Sequence, residues 1–422
     1  MKFIHAADIH LDSPLRGLAR YDGAPVEAIR GATRLALQNL VDLAVDEGVD
    51  FVLIAGDVYD GDWKDHNTGL FFVSQMTRLR EAGIPVVMIS GNHDAANRMT
   101  KTLRLPDNVT RLSHRKPETA ASEQLRDLGV AIHGQSFAQP AELQNLAAAY
   151  PAQVSGMFNI GILHTSLTGA EGHEPYAPCS LDDLRNKGYD YWALGHVHTR
   201  EVKCDDPCIV YPGNIQGRHI REEGARGCYL VTVDSTGQCD LEFRTLDVMR
   251  WNQLTVDVSG AKSDDDVLDL CSEHLSELMA ANQELPTAVR VVMVGNTDLH
   301  GQLIAQQEHW MNQVRAIAID TTGGQVWIEK VCLSTSPLAS SRNDFADDGP
   351  IGALVQYVEE LQKTPEALTE VSDGLCDLQK KLPDEILRGV DGLPLRDIQY
   401  LSSVMEDVKE LLVQKLSEGP VE

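Results

Sequence analysis

The sequence predicts an α/β protein in three parts: a layered core over residues 1–250, a small α/β domain over 251–335, and a linker with a helical tail over 336–422. Three observations carry that expectation. Short apolar runs alternate with amphipathic stretches through the first 250 residues, as strands alternate with helices in a layered domain. Several of those runs end in Asp, Asn or His rather than in ordinary turn residues. Near Trp251 the texture changes to a short β-α-β-α-β series, and past a polar stretch it becomes wholly helical.

Taken in order, Phe3–Ala7 reads as a strand. Pro25–Glu47 reads as a helix, because Ile29, Leu35, Leu37, Leu40 and Leu43 follow helical spacing and Gly48 stops it. A strand at Phe51–Ala55, a helix at His66–Ala82 closed by Gly83, and a strand at Pro85–Ser90 follow. Further apolar runs stand at Val130–His133, Phe158–Leu163, Tyr191–Leu194, Ile209–Tyr211 and Cys228–Val233. In the second part, strands are expected at Trp251–Val258, Ala288–Val294 and Gln325–Leu333, around helices at Asp264–Ala281 and Leu299–Ile319. Ser334 to Gly349, rich in Ser, Pro and Asp, reads as a linker. Helices are then expected at Pro350–Gln362, Pro365–Lys381 and Leu395–Leu416.

Hydrophobic residues make up 43% of the 422 and charged residues 23%, enough apolar material for a core. No apolar run approaches the roughly 20 residues of a membrane span. The amino terminus reaches Asp8 too soon for a signal peptide. The eight cysteines stand singly, apart from Cys204 and Cys208, and read as reduced thiols of a cytoplasmic protein. The net charge of −27 is uneven: residues 1–250 hold 24 Lys and Arg against 33 Asp and Glu, and residues 251–422 hold 12 against 30. Such a chain is a poor general binder of nucleic acid, so any role on DNA needs a local basic surface, bound metals or a basic partner.

The strand ends point to the chemistry. The first strand runs into Asp8-Ile9-His10, the second into Gly56-Asp57-Val58-Tyr59-Asp60, and the third into Gly91-Asn92-His93-Asp94. Phe158–Leu163 runs into His164, and Tyr191–Leu194 into Gly195-His196-Val197-His198. The carboxyl edge of an open α/β sheet is where ligands bind. Asp8, His10, Asp57, Asn92, His164, His196 and His198 offer oxygen and nitrogen but no sulfur. That set exceeds one four-coordinate zinc site and suits two metals bridged by a carboxylate. Extended backbone would send Asp8 with His10, and His196 with His198, into the same space. The glycines before Asp57, Asn92 and His196 fit tight turns close to the metals. Asp12 reads as a turn residue rather than a ligand. A single His at a strand end is an ordinary core or loop residue; the ordered set is not.

The series D-x-H, G-D-x-x-D, G-N-H-D, H and G-H-x-H resembles the calcineurin-like metallophosphoesterases. The resemblance implies a sandwich core over about the first 250 residues. It also implies that Asp8, His10, Asp57 and His198 hold one metal, and Asp57, Asn92, His164 and His196 the other. Two such ions make hydroxide available near neutral pH and neutralise phosphate oxygens. By the same resemblance His93 assists at the phosphoryl or leaving oxygen. Mn²⁺ is the expected ion, while Fe, Zn and Mg also suit the ligand types.

Protein phosphatases of this superfamily read G-D-x-x-D-R-G and G-N-H-E, whereas this chain has Asp60-Gly61-Asp62 and Asp94. The closer likeness is to bacterial SbcD-type DNA repair exonucleases, and within them the YhaO-like group. FIHAADIHLDSPLRGL, LIAGDVYDGDW, SGNHDAANR, GHEPYAP, DYWALGHVH and YPGNIQGRHIRE carry it, and the nuclease core, small capping domain and helical tail agree in layout. The expected function is therefore hydrolysis of DNA phosphodiesters, as the exonuclease or endonuclease subunit of a repair complex. Small-molecule or nucleotide phosphodiester hydrolysis is the enzymatic alternative, and a non-catalytic scaffold for an ATPase the alternative of another class.

SbcD-type nucleases commonly have His where this chain has Asp60. That Asp would orient His93 and raise its basicity; a solvated loop Asp is the other reading. For DNA contact, Ala95 to Pro117 holds Arg98, Lys101, Arg104, Arg111, Arg115 and Lys116 against Asp107 alone. Arg98, Lys101 and Arg104 are expected on phosphates, with Arg218 from a second cluster that could instead pair with Glu222 and Glu223. The resemblance also implies that the helical tail docks on an SbcC-like coiled-coil ATPase, and that helices of the first domain form a homodimer; packing on the chain itself is the other reading of those helices.

Overall fold

The computed structural model describes residues 1–13, 26–60, 66–96, 103–167, 176–338, 349–382, 387 and 392–417. The chain divides into two compact units, one reaching Arg250 and the other beginning at Trp251.

Two six-stranded sheets make the first unit. One contains β1 (Lys2–Ala6), β2 (Phe51–Ala55), β3 (Val86–Ile89), β4 (Val109–Arg111), β11 (Gly227–Val233) and β12 (Cys239–Thr245), in the order β12-β11-β1-β2-β3-β4. The other contains β5 (Glu118–Thr119), β6 (Val130–Gly134), β7 (Phe158–His164), β8 (Tyr191–Gly195), β9 (Glu201–Asp205) and β10 (Cys208–Tyr211), in the order β5-β6-β7-β8-β10-β9. β1 to β4 are parallel neighbours, as are β6, β7, β8 and β10.

Parallel strands covered on both faces read as continuous apolar runs, and β2 shows why. Phe51, Leu53 and Ala55 pack between the sheets with Phe3, Ile160 and Tyr191. Val52 and Ile54 face outward, onto Leu37 and Leu40 of α1 (Val26–Asp46) and Phe72 and Met76 of α2 (Asn67–Glu81). Phe3 stacks on Phe51 with centroids 4.8 Å apart and meets Tyr191 edge-on at 5.3 Å, joining the two sheets. The outer face of the second sheet packs Trp192, Leu163 and Tyr150 around Leu184 of a short helix, Leu181–Arg185.

Four strands were not legible from apolar runs: β4, β5, β9 and β12. They are the four edge strands of the two sheets. Edges are half-solvated and carry polar residues, as in Glu201-Val202-Lys203-Cys204-Asp205, so their sequences show no continuous apolar run.

The second unit has a three-stranded sheet, β13 (Arg250–Asp257), β14 (Thr287–Asn296) and β15 (Val326–Ser336), with β14 in the centre and parallel to β15. Its Val289, Val291 and Ile328 pack under a helix at Asp264–Ala281, and Trp310 fills the same core. Ser263 and Asp266 form a capping box that starts that helix. The helix expected at Leu299–Ile319 is two, His300–Ala305 and Gln307–Thr322, because Gln306 leaves helical geometry. Pro365–Lys381 is likewise divided, at Leu375. Pro350 and Pro365 each stand in the first turn of a tail helix, where the missing N–H is no loss. No helix among the described residues is long and apolar enough to cross a membrane.

One buried polar residue ties the sheets of the first unit. His5 of β1 donates from Nε2 to the Leu194 carbonyl of β8 at 3.1 Å, and Nδ1 accepts from the Tyr191 hydroxyl at 2.9 Å. A carbonyl can only accept, so Nε2 carries a proton, and burial, which disfavours the charged ring, leaves Nδ1 as the acceptor. Burial holds its pKa down to about 3, from 6.5. The folded state therefore refuses a proton that the unfolded chain takes up, and this contribution, intact above pH 6.5, is lost as the pH falls toward 3. Urea midpoints measured from about pH 7 to about pH 4 should fall less steeply for His5→Gln than for wild type. Parallel slopes would remove His5 from the acid response.

Candidate metal centre

β1, β2 and β3 end together at one edge of the first sheet, and β7 and β8 at the corresponding edge of the second. His164, the last residue of β7, and the segments just beyond the other four strands make up the whole expected ligand set. Asp8 N–H donates to Gly56 O at 3.1 Å and His10 N–H to Asp57 O at 3.0 Å, so the first loop is bonded to the second. His196 N–H donates to both Asp8 carboxylate oxygens, at 3.1 and 3.0 Å, tying one sheet's loop to the other's.

The local backbone differs from the extended form expected for the D-x-H and H-x-H pairs. Asp8 (φ 51°), His10 (φ 45°), Asp57 (φ 51°) and His196 (φ 97°) all lie in the left-handed region. Each strand ends before its motif, and a left-handed kink then turns the side chains inward. The glycines have a steric reason. A Cβ on Gly91 would lie 2.3 Å from Asp57 Oδ1 and 2.8 Å from the His164 ring, and one on Gly195 would lie 2.0 Å from Ala55 O. Any side chain there would displace the site itself.

Three groups of candidate ligands result among the described residues, one of them His10, Asp60 and His93, and the other two drawn wholly from the expected set. Asp8, His10 and His198 form the first of these two, and Asp57, His164 and His196 the second, each with ligand atoms within 4.8 Å of one another. In the second, His164 Nδ1 donates to the Ala55 carbonyl at 2.9 Å, which leaves Nε2 as a lone pair when the ring is neutral. That lone pair faces Asn92 Oδ1 at 3.0 Å and Asp57 Oδ2 at 3.2 Å, two further acceptors. In the first, His198 Nδ1 donates to Glu222 Oε1 at 2.7 Å, and Nε2 faces His10 Nε2 at 3.1 Å. His10 Nδ1 is buried and makes no hydrogen bond among the described residues. A proton can bridge each pair, from His10 Nε2 to His198 and from a charged His164 to Asp57, and a divalent ion in the proton's place would be shared by the same atoms. Carboxylate oxygens and imidazoles, with His164 and His198 each donating outward from Nδ1, make a donor set that fits divalent metal ions.

The pKa shifts express the same demand. Burial alone would push Asp57 up, but His164 and the His93 amide hold it well below the usual carboxylate range. Burial pushes His164 down, and Asp57 more than offsets this, lifting it to about 9. Burial pushes His10 far down, with Arg218 adding to the effect, so its ring stays neutral.

His93 stands beside these groups. Its Nδ1 donates to Asp60 Oδ1 at 2.8 Å, and its side chain remains 41% exposed. Asp60 is thus held inside the site: its Oδ2 also accepts from the Ser13 hydroxyl at 2.6 Å and from Arg218 Nη1 at 3.3 Å. Arg218, expected on DNA, is only 11% exposed, and its guanidinium also binds Glu222 Oε1 at 2.9 Å. Arg104 is exposed, while Arg98 and Lys101 lie outside the described residues. Asp12 accepts from Arg34 Nε at 2.7 Å and Thr68 Oγ1 at 2.6 Å, joining its loop to α1 and α2.

Two residues escaped sequence reasoning in these roles. Glu222 is buried and orients His198, although the sequence marks it only as the i+4 partner of Arg218. Asp94 is buried and accepts amides from Val58, Tyr59 and Gly91 at 3.2, 3.0 and 3.1 Å, clamping the second loop to the third. With the outer partner of a ligating imidazole removed, Mn²⁺ affinity in calorimetric titration should fall about 10- to 100-fold in Glu222→Gln. Unchanged affinity would show that His198 needs no such partner.

Comparison with known proteins agrees with this geometry. Residues 1–200 match the calcineurin-like phosphoesterase model, and residues 251–336 match the middle domain of the metallophosphoesterase YhaO. The uncharacterized metallophosphoesterase YhaO of Bacillus subtilis (strain 168) is 38% identical over 296 residues, 70% of this chain and 72% of that protein. The DNA double-strand break repair protein Mre11 of Methanopyrus kandleri is 28% identical over 295 residues, 63% of this chain and 61% of that one. Mre11 of Sulfurisphaera tokodaii is 31% identical over 171 residues, 39% of this chain and 42% of that one. Taken with the strand-end loops and their paired acceptor groups, this similarity makes the chain a calcineurin-like metallophosphoesterase of the YhaO family.

Proposed function

We propose that the chain is a two-metal phosphodiesterase acting on DNA, with Mn²⁺ as its ion, in a cytoplasmic repair complex. The observation that carries the metal reading is the convergence of Asp8, His10 and His198, and of Asp57, His164 and His196, with ligand atoms within 4.8 Å of one another in each group. Asp8, His10, Asp57 and His198 would hold one ion, and Asp57, Asn92, His164 and His196 the other. Such a pair, when bound, supplies a hydroxide nucleophile near neutral pH and neutralises phosphate oxygens. The chain's own part is orientation and proton handling. Ala55 O and Glu222 keep the proton of His164 and His198 on Nδ1, so Nε2 stays available as a ligand. Asp60 occupies Nδ1 of His93, so Nε2 is the atom that gives a proton to the leaving oxygen.

The relatives named as Mre11 and the exposed Arg104, Arg111, Arg115 and Lys116 support DNA as the substrate. The net charge of −27 favours a small phosphoester instead. The reading extends to a coiled-coil ATPase docked on the tail helices, and to a homodimer through α1 and α2.

Linear double-stranded DNA should be cut by the purified chain in Mn²⁺, and a chelator should stop it. His93→Ala should lower kcat by about 10² to 10⁴ while retaining its metals. Cleavage of bis(p-nitrophenyl) phosphate without any cleavage of DNA would sink the DNA assignment and leave the phosphodiesterase.

A further inference from the structure

A second opening lies one strand outward from the metal centre in each sheet. Residues at and beyond the carboxyl ends of β3, β4 and β6 line a cavity of about 240 Å³. It shares two walls with the centre. The short helix Asn92–Ala96 carries Asn92 and His93 at the centre, and its Asp94 and Ala95 line the cavity. Phe137 lines it too, and the same ring meets His164 edge-on at 5.5 Å.

Much of the polarity of these walls is spent on bracing. The Asp94 oxygens take three backbone amides. The Ser136 hydroxyl donates to Leu112 O at 2.6 Å and accepts the Ser90 N–H at 3.0 Å. The basic and imidazole groups of the lining come from Arg111 and His114, both exposed, and exposed Arg115 and Lys116 follow directly in the chain. On a chain of net charge −27, this is a local excess of cations at the border of the site.

We infer that this cavity is a subsite for the substrate strand, taking the nucleotide next to the scissile phosphate with Arg111 on that neighbour's phosphate oxygens. The inference rests on the DNA reading of the same centre and deepens it. Size limits the occupant: ligand pockets commonly run from roughly 300 Å³ upward, so this one takes a single nucleotide unit rather than an extended ligand. Chemistry selects the phosphate, because a guanidinium fork matches two phosphate oxygens and His114 adds a hydrogen bond beside it.

The test compares wild type with Arg111→Gln, His114→Gln and the double variant. Two substrates are used in Mn²⁺: a double-stranded oligodeoxynucleotide, and bis(p-nitrophenyl) phosphate, which has no neighbouring nucleotide. The double variant should raise KM for the oligonucleotide about tenfold, with kcat and small-ester hydrolysis within about twofold of wild type. Fluorescence anisotropy of the labelled oligonucleotide in chelator reads binding without hydrolysis. There the logarithmic salt slope should be shallower by about one in Arg111→Gln. An unchanged KM and salt slope overturn the subsite, and so does an equal loss on both substrates. If the oligonucleotide binds through Arg111 but only the small ester is hydrolysed, the DNA reading fails and the subsite with it, since no scissile DNA phosphate then adjoins the cavity; an unchanged KM with DNA still cut overturns the subsite alone. If wild type does not bind the oligonucleotide at all, both fail.

Discussion

Acceptors held face to face at the edge of two sheets are the constraint on which the rest of the first unit depends. His164 Nε2 confronts Asn92 and Asp57 oxygens, and His198 Nε2 confronts His10 Nε2. These groups crowd so closely that a proton or a metal ion has to lie in each gap: His164, lifted to about 9, can supply one toward Asp57, and His10 Nε2 one toward His198. The local backbone carries a cost of its own. Four of the candidate ligands sit in left-handed conformations, worth about 1–3 kcal/mol each for non-glycine residues. What keeps them there is the pair of parallel sheets behind them. Cross-loop bonds such as His10 N–H to Asp57 O, and His196 N–H to Asp8, over-determine the loop positions. The apolar interior fixes where the strands end, and the strand ends fix the ligands.

A surrounding set of charged residues makes the arrangement coherent. Arg218 lies between Asp60 and Glu222, and those carboxylates hold His93 and His198 respectively. An isolated buried arginine would be costly, but here two carboxylates compensate it. The same guanidinium therefore contacts the support of a candidate ligand and the support of the proposed proton donor. Asp94 plays a parallel part with backbone amides, joining the loops after β2 and β3. Positions of Asp57, Asn92 and His93 are thus coupled through atoms that take no part in the chemistry.

What was legible in the sequence follows from where information is local. Strands β2, β3 and β8 are apolar on both faces and β1 and β7 largely so, and the polar residue that closes or follows each run marks a strand end that water does not explain. Edge strands show no such signal, because half of each is solvated. Glu222 was legible only as a charge near Arg218: it is 24 residues from His198, and only the return of the chain through β9 and β10 brings them together. Arg218 left two readings open for the same reason, a phosphate contact or a pair with Glu222, since a basic residue in a sequence shows its charge and not its partner. The left-handed turns at Asp8 and His10 were invisible too, because neither residue type announces that conformation as glycine does. The chemistry was legible because ligand types are conspicuous, and its supports were not because they are ordinary residues in long-range contact.

The acidity of the chain needs to be weighed by distance rather than by total. At physiological salt the Debye length is about 8 Å, so exposed charges farther from a bound phosphate than that are largely screened. The 30 acidic residues of positions 251–422 then count for little at the metal centre unless they come within that range. What counts is the charge beside the centre. There Arg111, His114, Arg115 and Lys116 stand within six positions of sequence, all exposed, with Glu118 turned back to accept the Ser113 amide. A net charge of −27 thus sets solubility and the long-range approach of DNA, slowing encounter at low salt. It does not decide whether a phosphate already at the strand ends is held, because that balance is struck among groups a few ångströms away.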